Sequence, residues 1–290
     1  MSTAVPFPRS WGQTRSLQEG NASYPSGIIE PDPIGRTSYN EPVDRLLEAT
    51  SRAERDHFWF RGFRQFVGPL LDRAAGARTS LRLLDCGCGT GANLRLLGRY
   101  GSAWGFDLTH SGLQIARSSG LERVARASAG SVPFPSAAFD IVTSFDVLYC
   151  LPEPVERDAA AEMCRVLKPG GWLIVNVAAM PILRGNHSVL SAELRRYTRA
   201  SLRALLEGAG LCVERITYTN ASLFPMMLAV RGVQRLAGLA QEADALGEIT
   251  VPSAPVNAAL SALLAIEARA IRVLPMPFGS SLLCLARKSA

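Results

Sequence analysis

Two hundred and ninety residues, 48% of them apolar and 19% charged, hold enough apolar material for one large domain or a domain with a small appendage, and exclude wholesale disorder. The 31 basic side chains outnumber the 25 acidic ones by six, and because Lys168 and Lys288 are the only lysines the surplus is arginine. Between Arg184 and Arg235 eight arginines stand against three acids. Such a cluster suits a phosphate- or carboxylate-bearing small molecule, an anionic membrane surface or a solvated helix face better than the broad basic face of a nucleic-acid binder.

The six cysteines form no C-x-x-C pair and have no histidine at zinc-ligand spacing, so no metal site is expected. Several lie in apolar runs where cysteine acts as a small hydrophobe, which fits a reducing, cytoplasmic setting. There is no basic start followed by an apolar run, and the apolar stretches near 216–230 and 249–266 carry prolines and fall at or below the length of a membrane span.

In chain order, residues 1–42 read as a flexible leader rich in Pro, Gly, Ser and Asn. Residues 43–78 read as a helical cap, with Trp59, Phe63, Phe66, Val67 and Leu70 on one helix face. Phe58 and Phe60 fall off that face, so His57 and Trp59 become candidates for the wall of a pocket as well as for plain core. From 79 to 220 strands and helices alternate. Strands are expected at Leu81–Cys86, Ala103–Phe106, Phe139–Phe145, Trp172–Val177 and Leu211–Thr219. Helices are expected at Ala92–Arg99, from His110, at Ala159–Val166 and after an N-cap at Thr198. Residues 221–275 interrupt with two apolar helical segments, and 276–290 hold a closing strand. Repeated alternation predicts an α/β doubly wound sheet covered on both faces.

The densest signal is Asp85-Cys86-Gly87-Cys88-Gly89-Thr90-Gly91 at the end of the first strand. Glycines belong where a chain turns tightly and a ligand approaches the backbone. Twenty residues after Gly87, Asp107 ends the second strand, where a carboxylate can accept hydrogen bonds from ribose hydroxyls. A dinucleotide loop needs G-x-G-x-x-G and a pyrophosphate. Here the spacing is G-x-G-x-G, and the carboxylate of Asp85 would repel a pyrophosphate but suit a cationic ammonium or sulfonium. This favours S-adenosylmethionine over NAD.

On these residues the sequence resembles the class I S-adenosylmethionine-dependent methyltransferases. Val132–Pro135 with Phe139–Val142, Asp146-Val147-Leu148, and Arg165–Gly171 are similar to further family segments. His57-Phe58-Trp59-Phe60 and Arg195-Arg196-Tyr197-Thr198 are similar to a bacterial subgroup known mainly as methyltransferase-domain proteins. The resemblance implies a Rossmann-like seven-stranded sheet with the last strand antiparallel. It implies S-adenosylmethionine as cofactor and S-adenosylhomocysteine as product. Asp85, Gly87, Gly89 and Gly91 would pass under the methionine part, Asp107 would bind the ribose, and Leu108, Ser128, Ala129 and Phe145 would surround the adenine and the rest of the cofactor. Ser128 departs from the common aspartate. Tyr149 and Cys150 replace the Glu-His of many members after the fourth strand, which removes the usual histidine.

Methyl transfer from a sulfonium requires alignment and exclusion of water, with a base where the nucleophile carries a proton. His187, in the loop after the fifth strand, is the first candidate base, against a simple loop hydrogen bond. Tyr149 can position a substrate oxygen or pack. Arg196 and Tyr197 can clamp an anionic acceptor or make local structural bonds. The 221–275 insertion fits an apolar acceptor pocket, a peripheral membrane contact, a homodimer interface or core packing. The expected function is methyl transfer to an O, N or C nucleophile of a small-molecule acceptor, with no nucleic-acid partner. The alternatives are a non-catalytic cofactor-binding partner protein and an NAD-dependent dehydrogenase.

Overall fold

The computed structural model describes residues 41–183, 193–236 and 250–290. The expected leader therefore lies almost wholly outside the described residues; Glu41 already opens the first helix. The elements run α1 (Glu41–Ala53), α2 (Phe58–Ala75), β1 (Leu81–Cys86), α3 (Ala92–Leu97), β2 (Gly101–Asp107), α4 (His110–Ser118), β3 (Val124–Arg126) and β4 (Phe139–Phe145). They continue with α5 (Glu153–Val166), β5 (Leu167–Ala178), α6 (Arg199–Gly208), β6 (Leu211–Thr219), α7 (Phe224–Leu236), α8 (Ala254–Ala270) and β7 (Ser281–Lys288).

The seven strands lie in the order β3-β2-β1-β4-β5-β7-β6. Strands β1 to β5 pair in parallel, and β7 runs antiparallel between β5 and β6. The order reverses between β1 and β4, and ligands of open α/β sheets bind beyond the carboxyl ends of strands at such a point. Alternate residues divide between two cores. Leu84, Cys86, Phe106, Val142, Val175 and Val177 pack with α5 and α6. Leu81, Leu83, Ile141 and Ile174 pack with α2, α3 and α8 on the other face. Because both faces are covered, side chains at successive positions are buried on opposite sides, which is why the central strands read as mostly apolar.

Several expected boundaries move. Strand β3, three residues at the sheet edge, is absent from the sequence reading because Val-Ala-Arg is too short to show periodicity. Helix α5 starts at Glu153, six residues before the expected Ala159, with proline in its first turn where a missing N–H costs nothing. Strand β5 begins at Leu167, five residues before the expected Trp172, and takes in Pro169-Gly170-Gly171 through a register shift. On α2 the buried stripe is Phe66, Val67, Leu70, Leu71 and Ala74, while Trp59 and Phe63 are half-buried at its upper end.

Helices α2 and α8 pack together closely at Gly62, where an added Cβ would lie 2.4 Å from Leu264 Cδ1. Asn257 on α8 ties the helix starts, accepting from the Phe58 N–H at 2.8 Å and donating to the Asp56 carbonyl at 2.8 Å. Buried Glu267 accepts from the Ala221 and Ser222 N–H groups, both at 2.9 Å, and so fastens α8 to the end of β6. All six cysteines are free; Cys86, Cys88, Cys164 and Cys284 are buried, Cys150 is half-buried and Cys212 is exposed.

Candidate functional site

The carboxyl ends of β1, β2, β4 and β5 meet at one edge of the molecule. The loop after β1 is pinned by the Gly87 and Cys88 N–H groups, which donate to the Phe106 carbonyl at 2.8 and 2.9 Å. Gly87 has φ +83°, and a Cβ there would stand 2.2 Å from Val147 Cγ2. Gly91 has φ +82°, and a Cβ there would stand 2.4 Å from Leu121 Cδ1. Only glycine fits either place. The result is a backbone ledge with no side chain between it and a ligand. Helix α1 lies over this ledge: Leu47 reaches to 3.4 Å of where a Gly89 Cβ would be, and Thr90 Oγ1 donates to Glu54 Oε2 at 2.8 Å. Burial raises the Glu54 carboxyl, and the Thr90 bond and nearby arginines oppose it.

Asp85 is fully buried beneath the loop. Its Oδ1 accepts from Thr143 Oγ1 at 2.7 Å, while Oδ2 has no partner. Burial pushes its pKa up to about 7, the Thr143 bond works against this, and the charge of Asp107 adds to it. An orphaned buried carboxylate oxygen is costly, and a cationic donor would satisfy it. Asp107 is oriented by three donors: the Gly89 N–H at 2.8 Å on Oδ2, and the Thr109 N–H and hydroxyl at 2.8 and 2.6 Å on Oδ1. A carboxylate has about four acceptor positions, so one stays open to a ligand hydroxyl. Leu108 is 48% exposed beside it, an apolar surface for a base. Ser128 Oγ accepts from the Gly130 N–H at 3.2 Å, and Ala129 is buried. Phe145 ends β4 and meets Phe63 of α2 edge-on at 5.0 Å.

Asp146 follows Phe145 at φ +61°, unusual for a residue with a Cβ. Its Oδ1 accepts from Asn176 Nδ2 at 3.0 Å, and its N–H donates to the Asn176 carbonyl at 2.9 Å. Asp146 is exposed to solvent, yet protein atoms crowd around its carboxyl group. That crowding raises its pKa, the Asn176 bond and the charge of Arg196 lower it, and Glu193 raises it. The sequence reading used Asp146 as a family match and gave it no role; its strained backbone and neighbours are invisible without the fold. Tyr149 is buried, and burial raises its phenol well above the ordinary value. Its carbonyl accepts from the Leu194 and Arg195 N–H groups at 2.9 and 3.4 Å.

The expected acceptor-side residues receive other work. His57 caps α2: it is buried, its Nδ1 accepts from the Trp59 N–H at 3.2 Å, and burial lowers its pKa. The expected Arg196 clamp is closed on the protein itself. Its Nε and Nη2 donate to Glu193 Oε1 and Oε2 at 2.7 and 2.8 Å, with both side chains under 10% exposed, and Nη1 donates to the Ala179 carbonyl at 3.1 Å. The Tyr197 hydroxyl donates to Glu156, which also accepts from Arg195 at 2.8 Å. Thr198 and Ser201 form a reciprocal cap on α6. The Arg-Arg-Tyr-Thr run thus knots the end of β5 to α5 and α6, because burial leaves each charge needing a near partner. His187 lies outside the described residues.

A mostly parallel sheet with a glycine ledge, an acid with an open acceptor position and an orphaned carboxylate below the ledge makes a Rossmann-like domain whose site has room and acceptors for a hydroxyl-bearing, cationic ligand. Residues 84–175 match the family model described as "Methyltransferase domain". Over 111 residues the chain is 39% identical to the ubiquinone/menaquinone biosynthesis C-methyltransferase UbiE of Laribacter hongkongensis, covering 35% of this chain and 44% of that one. Over 185 residues it is 30% identical to the enzyme of the same name from Shewanella pealeana, covering 51% and 72%. The chain spans about half the length of the first curated relatives it matches. Its fold is similar to Haemonchus contortus phosphoethanolamine N-methyltransferase 2 in complex with S-adenosyl-L-methionine, with a TM-score of 0.53 at 17% identity, covering 85% of this chain and 57% of that one.

The chain belongs to the class I S-adenosylmethionine-dependent methyltransferases, and its cofactor is S-adenosylmethionine. These similarities favour methyl transfer over the dehydrogenase and non-catalytic readings. No helix among the described residues is long and apolar enough to cross a membrane, and no group of side chains among them could hold a metal ion.

Proposed function

We propose that this protein transfers a methyl group from S-adenosylmethionine to a nucleophile on a small-molecule acceptor, releasing S-adenosylhomocysteine. The observation that carries the reading is the unpaired Oδ2 of Asp85 beneath a glycine ledge. In this reading Gly87, Gly89 and Gly91 support the methionine part and Asp85 balances its cationic charge. Asp107 takes a ribose hydroxyl, and Leu108, Ser128, Ala129 and Phe145 enclose the adenine and the adjoining sugar. The sulfonium makes the methyl carbon electrophilic, so the chain's own task is to orient the acceptor and exclude water. Asp146, exposed and with a raised pKa, is our candidate for holding or accepting an acceptor proton; Tyr149, three residues on, stays protonated, so its hydroxyl can bond an acceptor group but cannot serve as the base. His187 remains a candidate base from the loop after β5. His57, Trp59, Arg196 and Tyr197 act on the acceptor only by shaping its surroundings.

The C-methyltransferase relatives support a carbon acceptor over oxygen or nitrogen. We read 43–78 as a cap, 79–220 as the cofactor core, 221–275 as a helical insertion, 276–290 as the closing segment and 1–42 as a leader. Exposed Met226, Leu228 and Ile266 on α7 and α8 support a peripheral membrane contact for a cytoplasmic protein, or a homodimer through the same surface. The test is release of S-adenosylhomocysteine during incubation with a panel of enolic and phenolic acceptors, amphipathic and anionic members included. Turnover that Asp146→Asn lowers at least about tenfold supports the reading; turnover indifferent to it removes Asp146 from the chemistry.

A further inference from the structure

A cavity of about 510 Å³ opens between α2, α3 and α8, and none of its lining residues belongs to the glycine loop. Five arginines line it, Arg61, Arg64, Arg99, Arg269 and Arg272, with Asp72 as the one acid. Asp72 is already engaged, accepting from the Tyr100 hydroxyl at 2.7 Å. Arg64 is held in place by donating to the Glu54 and Arg55 carbonyls at 2.8 and 3.1 Å. Among the described residues no carboxylate pairs with Arg61, Arg99, Arg269 or Arg272.

Elsewhere three half-buried arginines meet a carboxylate at close range. Arg165, Arg195 and Arg196 each have a glutamate at 2.8 Å or less. Five guanidinium groups around one concavity outnumber the carboxylates near them, Asp72 and the Glu54 and Asp56 that act on Arg64, and a multivalent anion relieves the remaining repulsion. The flat, forked donors of arginine match phosphate oxygens in pairs. Beyond Arg269 and Arg272, Val273 and Leu274 are 82% and 68% exposed, and Ile266 is 63% exposed. This apolar rim could accompany a phosphate carried on a lipid.

We propose that the cavity between α2, α3 and α8 is an anion site in which Arg61, Arg99, Arg269 and Arg272 hold a phosphate group, free or borne on a lipid headgroup. The site stands independently of methyl transfer.

The test titrates the full chain with tripolyphosphate and, in parallel, sediments it with phosphatidylcholine vesicles with and without phosphatidylglycerol. The parent binds at least one probe, more weakly as salt is raised. The Arg61→Gln/Arg272→Gln double variant loses at least about tenfold in affinity, as expected for removing two charge-assisted contacts. Its S-adenosylhomocysteine affinity is unchanged, which separates this site from the cofactor reading. Tripolyphosphate binding alone identifies a soluble phosphate. Sedimentation that needs phosphatidylglycerol and is competed by tripolyphosphate identifies a headgroup. The proposal is overturned if the parent binds neither probe, if the double variant binds as the parent does, or if the parent binds no tripolyphosphate and its sedimentation ignores phosphatidylglycerol. Should the double variant also lose S-adenosylhomocysteine, the single exposed Arg99→Gln is read by the same criteria.

Discussion

Replacing Asp85 by Asn should make the free protein more stable and the cofactor complex weaker. In the folded chain burial holds the Asp85 carboxyl at about 7 against an ordinary 3.8. A folded-state value above the unfolded one means that ionisation opposes folding. The contribution of this group is therefore neutral below pH 4, and stability is lost as pH rises from 4 through 7. At about 1.4 kcal/mol per pH unit, the gap corresponds to about 4 kcal/mol at pH 8, a ceiling that relaxation around the site lowers. Asn keeps an acceptor for the Thr143 hydroxyl and removes the charge. Urea unfolding of parent and Asp85→Asn from pH 4 to 8 should give curves that coincide at pH 4 and separate progressively, the variant being the more stable. Calorimetry at pH 8 should show S-adenosylmethionine binding at least about tenfold weaker in the variant, since a charge-assisted contact has been lost. A variant less stable than the parent at pH 8, or a stability difference independent of pH, would refute the reasoning.

Gly87→Ala places a Cβ 2.2 Å from Val147 Cγ2 at φ +83°; we expect a loss of about 1–3 kcal/mol in thermal unfolding together with loss of cofactor binding, and wild-type affinity would sink the ledge argument. Glu193→Gln strands the buried Arg196 charge and should cost about 3–5 kcal/mol by denaturant titration, whereas a cost under about 1 kcal/mol would return Arg196 to the acceptor site. Thr90→Val removes the tie between the glycine loop and Glu54; cofactor affinity should fall a few-fold while Glu54→Gln, which keeps an acceptor, changes it less, and the reverse order would contradict a role for α1 as a cover.

The sheet was legible because its central strands are buried on both faces: Leu81–Cys86 and Phe139–Phe145 are mostly apolar runs, and the structure holds strands over those same residues, while edge strand Leu211–Thr219 shows instead an alternation of buried and exposed positions. Edge strand β3 has only three residues and no such run. The glycine ledge was legible because a positive φ with no room for a Cβ demands one residue type, and glycines in a pattern betray that demand. Charged side chains were not. Arg196 and Arg195 look alike in sequence to the arginines that line the α2–α3–α8 cavity. The difference is whether Glu193 or Glu156 arrives to meet them, and Glu156 comes from a helix 39 residues away. The same holds for Glu54 and Thr90, and for Asp146 and Asn176, whose pairing follows from neighbouring elements and from no local pattern. The aromatic neighbours of His57 suggest either a pocket wall or plain core; that it caps α2 depends on its backbone at the helix start, which the pattern does not reveal.

The most direct measurement is a calorimetric titration of the full chain with S-adenosylhomocysteine, beside NADH and repeated on Asp107→Ala. The account predicts saturable S-adenosylhomocysteine binding, no heat from NADH, and at least about a tenfold loss in the variant, which gives up a charged acceptor. Binding of NADH, or S-adenosylhomocysteine binding that Asp107→Ala leaves untouched, would contradict it.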